Sequence, residues 1–122
     1  MMNHFSGKRV LIVEDNPILA YDLEDLLGDI GMEGVGPALD LSAGLRLARE
    51  NALDAALLDI DIGNELVWPL ASELRARRVP VIFISAGCYA REFPEELRVY
   101  PCLEKPASTE VIVESLSQAL AA

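Results

Sequence analysis

Short apolar runs alternate along this chain with stretches whose apolar residues recur every three or four positions. The runs are Val10-Leu11-Ile12-Val13, Ala55-Ala56-Leu57-Leu58, Val79 to Ile84 and Val99 to Leu103, and Glu33 to Ala38 adds a shorter, Gly-rich one. Apolar runs of this length, bounded by turn residues, suit parallel strands covered on both faces, whereas the longer spacing suits helices that lie on them. Asn16-Pro17 reads as a cap followed by a first-turn proline, opening a helix whose Leu19, Leu23, Leu26, Leu27 and Ile30 face inward until Gly31 stops it. Leu41, Leu45, Leu47 and Ala48 mark a second helix. Glu65 to Arg78 marks a third, with Leu66, Leu70, Ala71 and Leu74 inward and Pro69 tolerable only near its first turn. The segment from Gly87 to Pro94 predicts a short or irregular fourth helix. Ser108 or Thr109 caps a last one, with Ile112, Val113, Leu116 and Leu120 inward.

Five strands alternating with five helices imply right-handed crossovers and a doubly wound α/β fold. The expected strand order is 2-1-3-4-5, the flavodoxin-like order, which sets the first and third strands side by side at the switch point. The expected organisation is a loose leader over residues 1–7, containing the lone His4, and one domain over 8–122.

Composition narrows the function. With 122 residues the chain has room for one core and no second module. Ten basic against twenty acidic side chains give a formal charge of −10, which repels nucleic-acid backbones and anionic lipid, so direct binding to either is not expected. Cys88 and Cys102 lack metal-ligand spacing and form no disulfide framework, so a reducing cytosol is the default. Cys102 and Tyr100 then read as packing residues and redox switching between the cysteines is the disfavoured alternative. No signal sequence or apolar stretch of membrane-spanning length is visible, and a soluble cytoplasmic protein is expected.

The chemistry lies in how the runs end. The first strand runs into Glu14-Asp15, the third into Asp59-Ile60-Asp61, the fourth into Ser85-Ala86-Gly87 and the fifth into Glu104-Lys105-Pro106. In an open α/β sheet these carboxyl ends share one edge. Three carboxylates and one ammonium gathered there leave a charge near −2, which calls for a hard divalent cation, and Mg²⁺ suits a few carboxylates with retained waters and phosphate oxygens. A hydroxyl and a lysine alongside would recognise phosphoryl oxygens and leave a carboxylate free to act as nucleophile.

Taken in order, Glu14-Asp15, Asp59, Ser85-Ala86 and Lys105-Pro106 give a chain that resembles a response-regulator receiver domain over nearly its whole length. The resemblance implies that Asp59 is the phosphoacceptor, taking its phosphoryl group from a histidine kinase, a histidine phosphotransfer protein or a small donor. It implies Mg²⁺ held by Asp15 and Asp59 side chains, by the Asp61 carbonyl and by Glu14 through a water. Ser85 matches the switch hydroxyl and Lys105 the phosphate-pairing lysine, whose bond to Pro106 is typically cis in the family.

Two departures accompany the match. Cys102 stands where the family has its switch aromatic, and the nearest ring, Tyr100, is expected on the opposite strand face; Ala107 replaces a common aromatic after Lys-Pro. Phe83-Ile84-Ser85-Ala86-Gly87-Cys88-Tyr89 is similar to the Phe-Ala-Thr-Gly-x-Tyr signature of a stand-alone receiver subclass, with Tyr89 one residue late and Ser for Thr. An origin within a larger hybrid kinase is equally compatible. Without ring coupling, a signal would pass through Ser85 and the Gly87-Cys88-Tyr89 loop. Output to a downstream protein, or weak homodimerisation, would use the face of the fourth helix, fifth strand and fifth helix. Two other readings compete. Asp59-Ile60-Asp61 is similar to the nucleophile motif of haloacid-dehalogenase-type phosphatases, although only Glu110 and Glu114 follow Lys105; a pseudo-receiver that docks without accepting phosphate is the other.

Overall fold

The computed structural model describes residues 5–89 and 93–121. Five parallel strands, β1 (Arg9–Val13), β2 (Glu33–Ala38), β3 (Ala55–Leu58), β6 (Val81–Ser85) and β7 (Cys102–Glu104), form one sheet in the order β2-β1-β3-β6-β7. This is the expected 2-1-3-4-5 order. Two extra two-residue strands, β4 (Asp61–Ile62) and β5 (Glu65–Leu66), make a separate antiparallel ribbon just after β3.

Alternation along the strands divides the core into two layers. Val10, Ile12, Ala55, Leu57, Ile82 and Ile84 point to one face, under Leu27 of α1 (Pro17–Asp29) and Ile112 and Leu116 of α4 (Thr109–Leu120). Leu11, Val13, Ala56, Leu58, Val81 and Phe83 point to the other, under α2 (Leu41–Glu50) and α3 (Trp68–Ala76). Period-2 strands with both faces apolar can be covered only by helices on both sides, which is why the runs are continuous.

Helix limits follow local chemistry. Asn16 Oδ1 accepts from the Ile18 N–H at 2.9 Å, and Pro17 occupies the first turn of α1. Only Ala20 and Leu27 of α1 are fully buried; Leu23, Leu26 and Ile30 are partly so, and Leu19, expected inside, is exposed. The expected third helix starts three residues later than its pattern suggested, at Trp68, because Pro69 is accommodated in a first turn; Glu65 and Leu66 pair in the ribbon instead. Trp68 is half-buried and meets the Phe83 and Phe93 rings with centroids 5.8 and 4.8 Å apart.

The described residues contain four α-helices rather than five. Over Gly87 to Pro94, where a short or irregular fourth helix was expected, the described residues form a turn, with a 3₁₀ turn following at Glu95–Leu97; residues 90–92 lie outside the described set. His4 and the start of the expected leader also lie outside it. Phe5 packs against the α1/α4 layer and Gly7 N–H donates to Gly31 O at 3.0 Å, so the last part of that leader is attached to the domain. Tyr100 precedes β7 and packs on the same layer as Cys102 rather than on the opposite face, as residues two apart along an extended chain must. Among the described residues no helix is long and apolar enough to cross a membrane.

Candidate functional site

Four strands end at one edge and each delivers a polar group there. The ladder continues past the regular strands: Glu14 N–H donates to Ala38 O at 3.0 Å, Asp59 N–H to Val13 O at 2.9 Å and Lys105 N–H to Ser85 O at 3.0 Å. Backbone pairing therefore fixes where the Glu14, Asp59 and Lys105 side chains start. Glu14, Asp59 and Ser85 are the only buried polar or charged side chains among the described residues, at 2%, 6% and 1% exposure.

The Lys105 ammonium bridges two of them, with Nζ 2.6 Å from Glu14 Oε1 and 2.7 Å from Asp59 Oδ2. Asp15, exposed at the rim, completes a group in which one carboxylate oxygen each of Glu14, Asp15 and Asp59 lie within 4.8 Å of one another. Asp15 is held in place by the Gly63 N–H, which donates to its Oδ2 at 2.9 Å. Glu14 Oε2 accepts from the Asn16 N–H at 3.0 Å, and Asp59 Oδ1 from the Asp61 N–H at 3.4 Å. The Asp61 carboxylate is not part of the clustered oxygens.

Burial and charge act against each other here. Burial raises the Glu14 carboxyl above its ordinary value, the Asp59 charge adds to that, and the hydrogen bonds from Lys105 and the Asn16 amide offset part of it. Burial also disfavours the Lys105 ammonium, but hydrogen bonds and charge from Asp59 and Glu14 outweigh it and hold the amine above its ordinary value. One ammonium thus compensates two buried carboxylates incompletely. Hard oxygen donors clustered round a charge deficit are the donor set that Mg²⁺ takes, so the residues present fit that ion.

Ser85 ends β6 with its side chain buried, and its Oγ accepts from the Gly87 N–H at 3.3 Å inside the turn Ser85-Ala86-Gly87. Beyond it Ala86 and Tyr89 are exposed and Cys88 is buried. The Lys105–Pro106 peptide is cis. A groove of about 500 Å³ beside the site, lined by Leu19, Leu23, Leu26, Ile84, Pro106 and Ile112, reaches Glu14 and Lys105.

The cysteines depart from the sequence reading. Cys102, expected as a packing residue, is joined to Cys88 in a disulfide with Cα atoms 5.8 Å apart, the pairing that the sequence reading disfavoured. Spacing alone did not show this: Cys88 lies in the turn beyond β6, and Cys102, fourteen positions further on, opens β7 beside Phe83. The Gly63 and Asn16 amides were also missed, because backbone donors leave no residue-type signal.

Comparison with known proteins agrees with this architecture. The family model described as response regulator receiver domain matches residues 10–117. The transcriptional regulatory protein PdtaR of Mycobacterium tuberculosis is 28% identical over 116 residues, covering 93% of this chain and 57% of that protein. The phyllosphere-induced regulator PhyR of Methylorubrum extorquens is 32% identical over 116 residues, covering 91% of this chain and 43% of its own length. The chain thus spans about half the length of these curated relatives. The solution structure of SdrG from Sphingomonas melonis Fr1 superposes with a TM-score of 0.80 at 31% identity, covering 99% of this chain and 100% of that one.

Proposed function

This chain belongs to the response regulator receiver domain family, and from that premise we propose that it accepts a phosphoryl group on Asp59 from the phosphohistidine of a histidine kinase or histidine phosphotransfer protein. The observation that carries the reading is the Lys105 ammonium, held at 2.6 and 2.7 Å between two buried carboxylates beside an exposed third.

An Asp59 oxygen forms the new bond to phosphorus while the phosphorus–nitrogen bond to the donor imidazole breaks and the imidazole leaves with its electron pair. Lys105, already seated 2.7 Å from Asp59 Oδ2, pairs with a phosphoryl oxygen as that charge arrives. The Ser85 hydroxyl, released from the Gly87 amide, donates to another. Asp15, Asp59 and the Asp61 carbonyl would hold Mg²⁺, with Glu14 reaching it through water. When bound, the ion neutralises the carboxylates and the oxygens of the transferring group. Burial of Asp59 and Glu14 keeps the reaction in a region where these fixed charges are weakly screened.

The donor protein would approach over α1, where exposed Leu19 borders the groove that reaches Glu14 and Lys105, next to exposed Ile18 in the sequence. Output would leave through β7, α4 and the segment before β7, toward a downstream protein or a second copy. A cytoplasmic setting fits a charge of −10 and the need to meet a kinase. The phosphatase reading loses support because, among the described residues, the clustered acids all precede Lys105 and Glu110 and Glu114 do not join them.

The test is intact-mass measurement after treatment with acetyl phosphate and Mg²⁺. The wild type should gain one phosphoryl group, and Asp59→Asn, or wild type with chelator, should gain none. Equal gain in Asp59→Asn would refute the assignment.

A further inference from the structure

We infer that Cys88 and Cys102 form a reversible thiol–disulfide site which, by exchange with a low-molecular-weight disulfide, locks the segment after Ser85 to strand β7. The coupling of that lock to phosphoryl transfer rests on the function proposed above; the lock itself does not.

The two sulfurs tie together the two chain segments that carry the site's switchable groups. Cys88 lies three residues after Ser85, and Cys102 three residues before Lys105. Between them the described chain offers one 3₁₀ turn, Glu95–Leu97, in place of a helix. Its local hydrogen bonds, such as Leu97 N–H to Pro94 O at 3.0 Å and Arg98 N–H to Glu95 O at 3.1 Å, stay inside that turn. Among the described residues, the disulfide is the covalent link between the Ser85-Ala86-Gly87-Cys88 turn and β7, beside the strand pairing of β6 with β7. Opening it frees the turn to follow its own hydrogen bonds.

Access is asymmetric, which sets the order of a two-step exchange. Cys88 is 3% exposed, whereas Cys102 is half-buried. Both line a groove of about 660 Å³ whose other walls include exposed Tyr89 and Arg98, the Nε of which donates to the Phe93 carbonyl at 3.1 Å. The positive charge of Arg98 beside the groove attracts anionic thiol compounds. In the oxidising direction the Cys102 thiolate attacks the small disulfide RSSR and expels one RS⁻. The Cys88 thiolate then attacks Cys102 sulfur in the mixed disulfide and expels the second. The protein's two thiols give up two protons and two electrons, and RSSR becomes two RSH. A disulfide in a reducing compartment is characteristically transient and redox-sensing rather than structural, which suits a pair set against a signalling site.

The full chain, equilibrated in glutathione buffers of graded ratio, is quenched with a maleimide and weighed intact. Expected is a concerted change from two alkylated thiols to none, without a stable glutathione adduct and reversed by dithiothreitol. Cys88→Ala and Cys102→Ala should each carry an adduct instead. Two independent adducts on the wild type, or thiols that never pair, overturn the site. Amide exchange over residues 86–89, measured without phosphodonor, should be about tenfold slower in the oxidised form; the Cys88→Ala/Cys102→Ala double variant, its fold checked by Trp68 emission, should match the reduced form. Equal exchange in both forms overturns the lock. Mass gain from acetyl phosphate is read separately on each form, so a failure of phosphorylation is distinguishable from a failure of the lock.

Discussion

Replacing Lys105 by Met removes the one cation seated among the buried carboxylates. Its Nζ lies 2.6 Å from Glu14 and 2.7 Å from Asp59, and the two carboxylate side chains are 3% and 7% exposed. Breaking a buried ion pair by deleting one partner costs about 3–5 kcal/mol, because the remaining charge is left uncompensated. The Lys105 side chain is 21% exposed, so water reaches the cluster and the lower end, about 3 kcal/mol, applies. With a urea slope of about 1.5 kcal/mol/M this lowers the unfolding midpoint by about 2 M, followed through Trp68 emission.

The pH dependence has a definite sign. Burial already holds the Glu14 carboxyl above its ordinary value, and without the Lys105 hydrogen bond it rises further. A carboxyl whose folded pKa exceeds its unfolded one makes the folded state bind protons more tightly, so stability falls as pH rises through that window. The variant's deficit should be full at neutral pH and shrink as the pH falls toward the ordinary carboxylate range. Mg²⁺ at a hundredfold excess over its dissociation constant should recover about 2.7 kcal/mol, since it binds the folded cluster alone. A Lys105→Met protein with the wild-type midpoint, with a deficit indifferent to pH, or with a midpoint that Mg²⁺ does not raise would refute the reasoning.

Other outcomes follow from single residues. Asp15→Asn, measured by Mg²⁺ titration of Trp68 emission, should weaken binding at least tenfold, on the order of 1.4 kcal/mol, while leaving the metal-free midpoint within about 0.5 kcal/mol of wild type. Gly36→Ala should destabilise by about 1–3 kcal/mol in urea, because Gly36 sits at φ +100° and an added Cβ would lie 2.7 Å from the Ala38 nitrogen. Asp40→Ala should cost about 1 kcal/mol by the same assay, since Asp40 Oδ1 caps α2 through the Ala43 N–H at 2.7 Å.

Much of this architecture is legible in the residues because the strands are covered on both faces. Runs such as Val10 to Val13 carry no ambiguity when every position is apolar, and the polar residue that ends each run marks the functional edge. Asp59, Glu14 and Lys105 meet in space because parallel strands share one carboxyl end. Less legible is whatever depends on neighbours across the sheet. The Leu19 position fits an inward stripe by spacing, yet it sits at the first turn of α1, is exposed, and lines the groove that Ile112 of α4 also lines. The stretch from Glu65 reads as helix by its leucines, but Pro69 sets the start and Leu66 pairs with Asp61 instead. Cys88 and Cys102 pair because the turn after β6 brings Cys88 back beside the start of β7, a placement that the expected strand order alone does not give. Tyr100 shows a plain miscount: strand period 2 puts it with Cys102, and both pack beside Phe83.

The central claim is that one carboxylate among several clustered acids becomes the phosphoryl ester. Borohydride reduction of the phosphorylated protein, followed by peptide sequencing in a mass spectrometer, reads it at residue level, since an acyl phosphate is reduced to the alcohol and an ordinary carboxylate is not. Homoserine at position 59 alone is the predicted result; homoserine at Asp15 or Asp61, or none in a protein that has gained phosphorus, would contradict it.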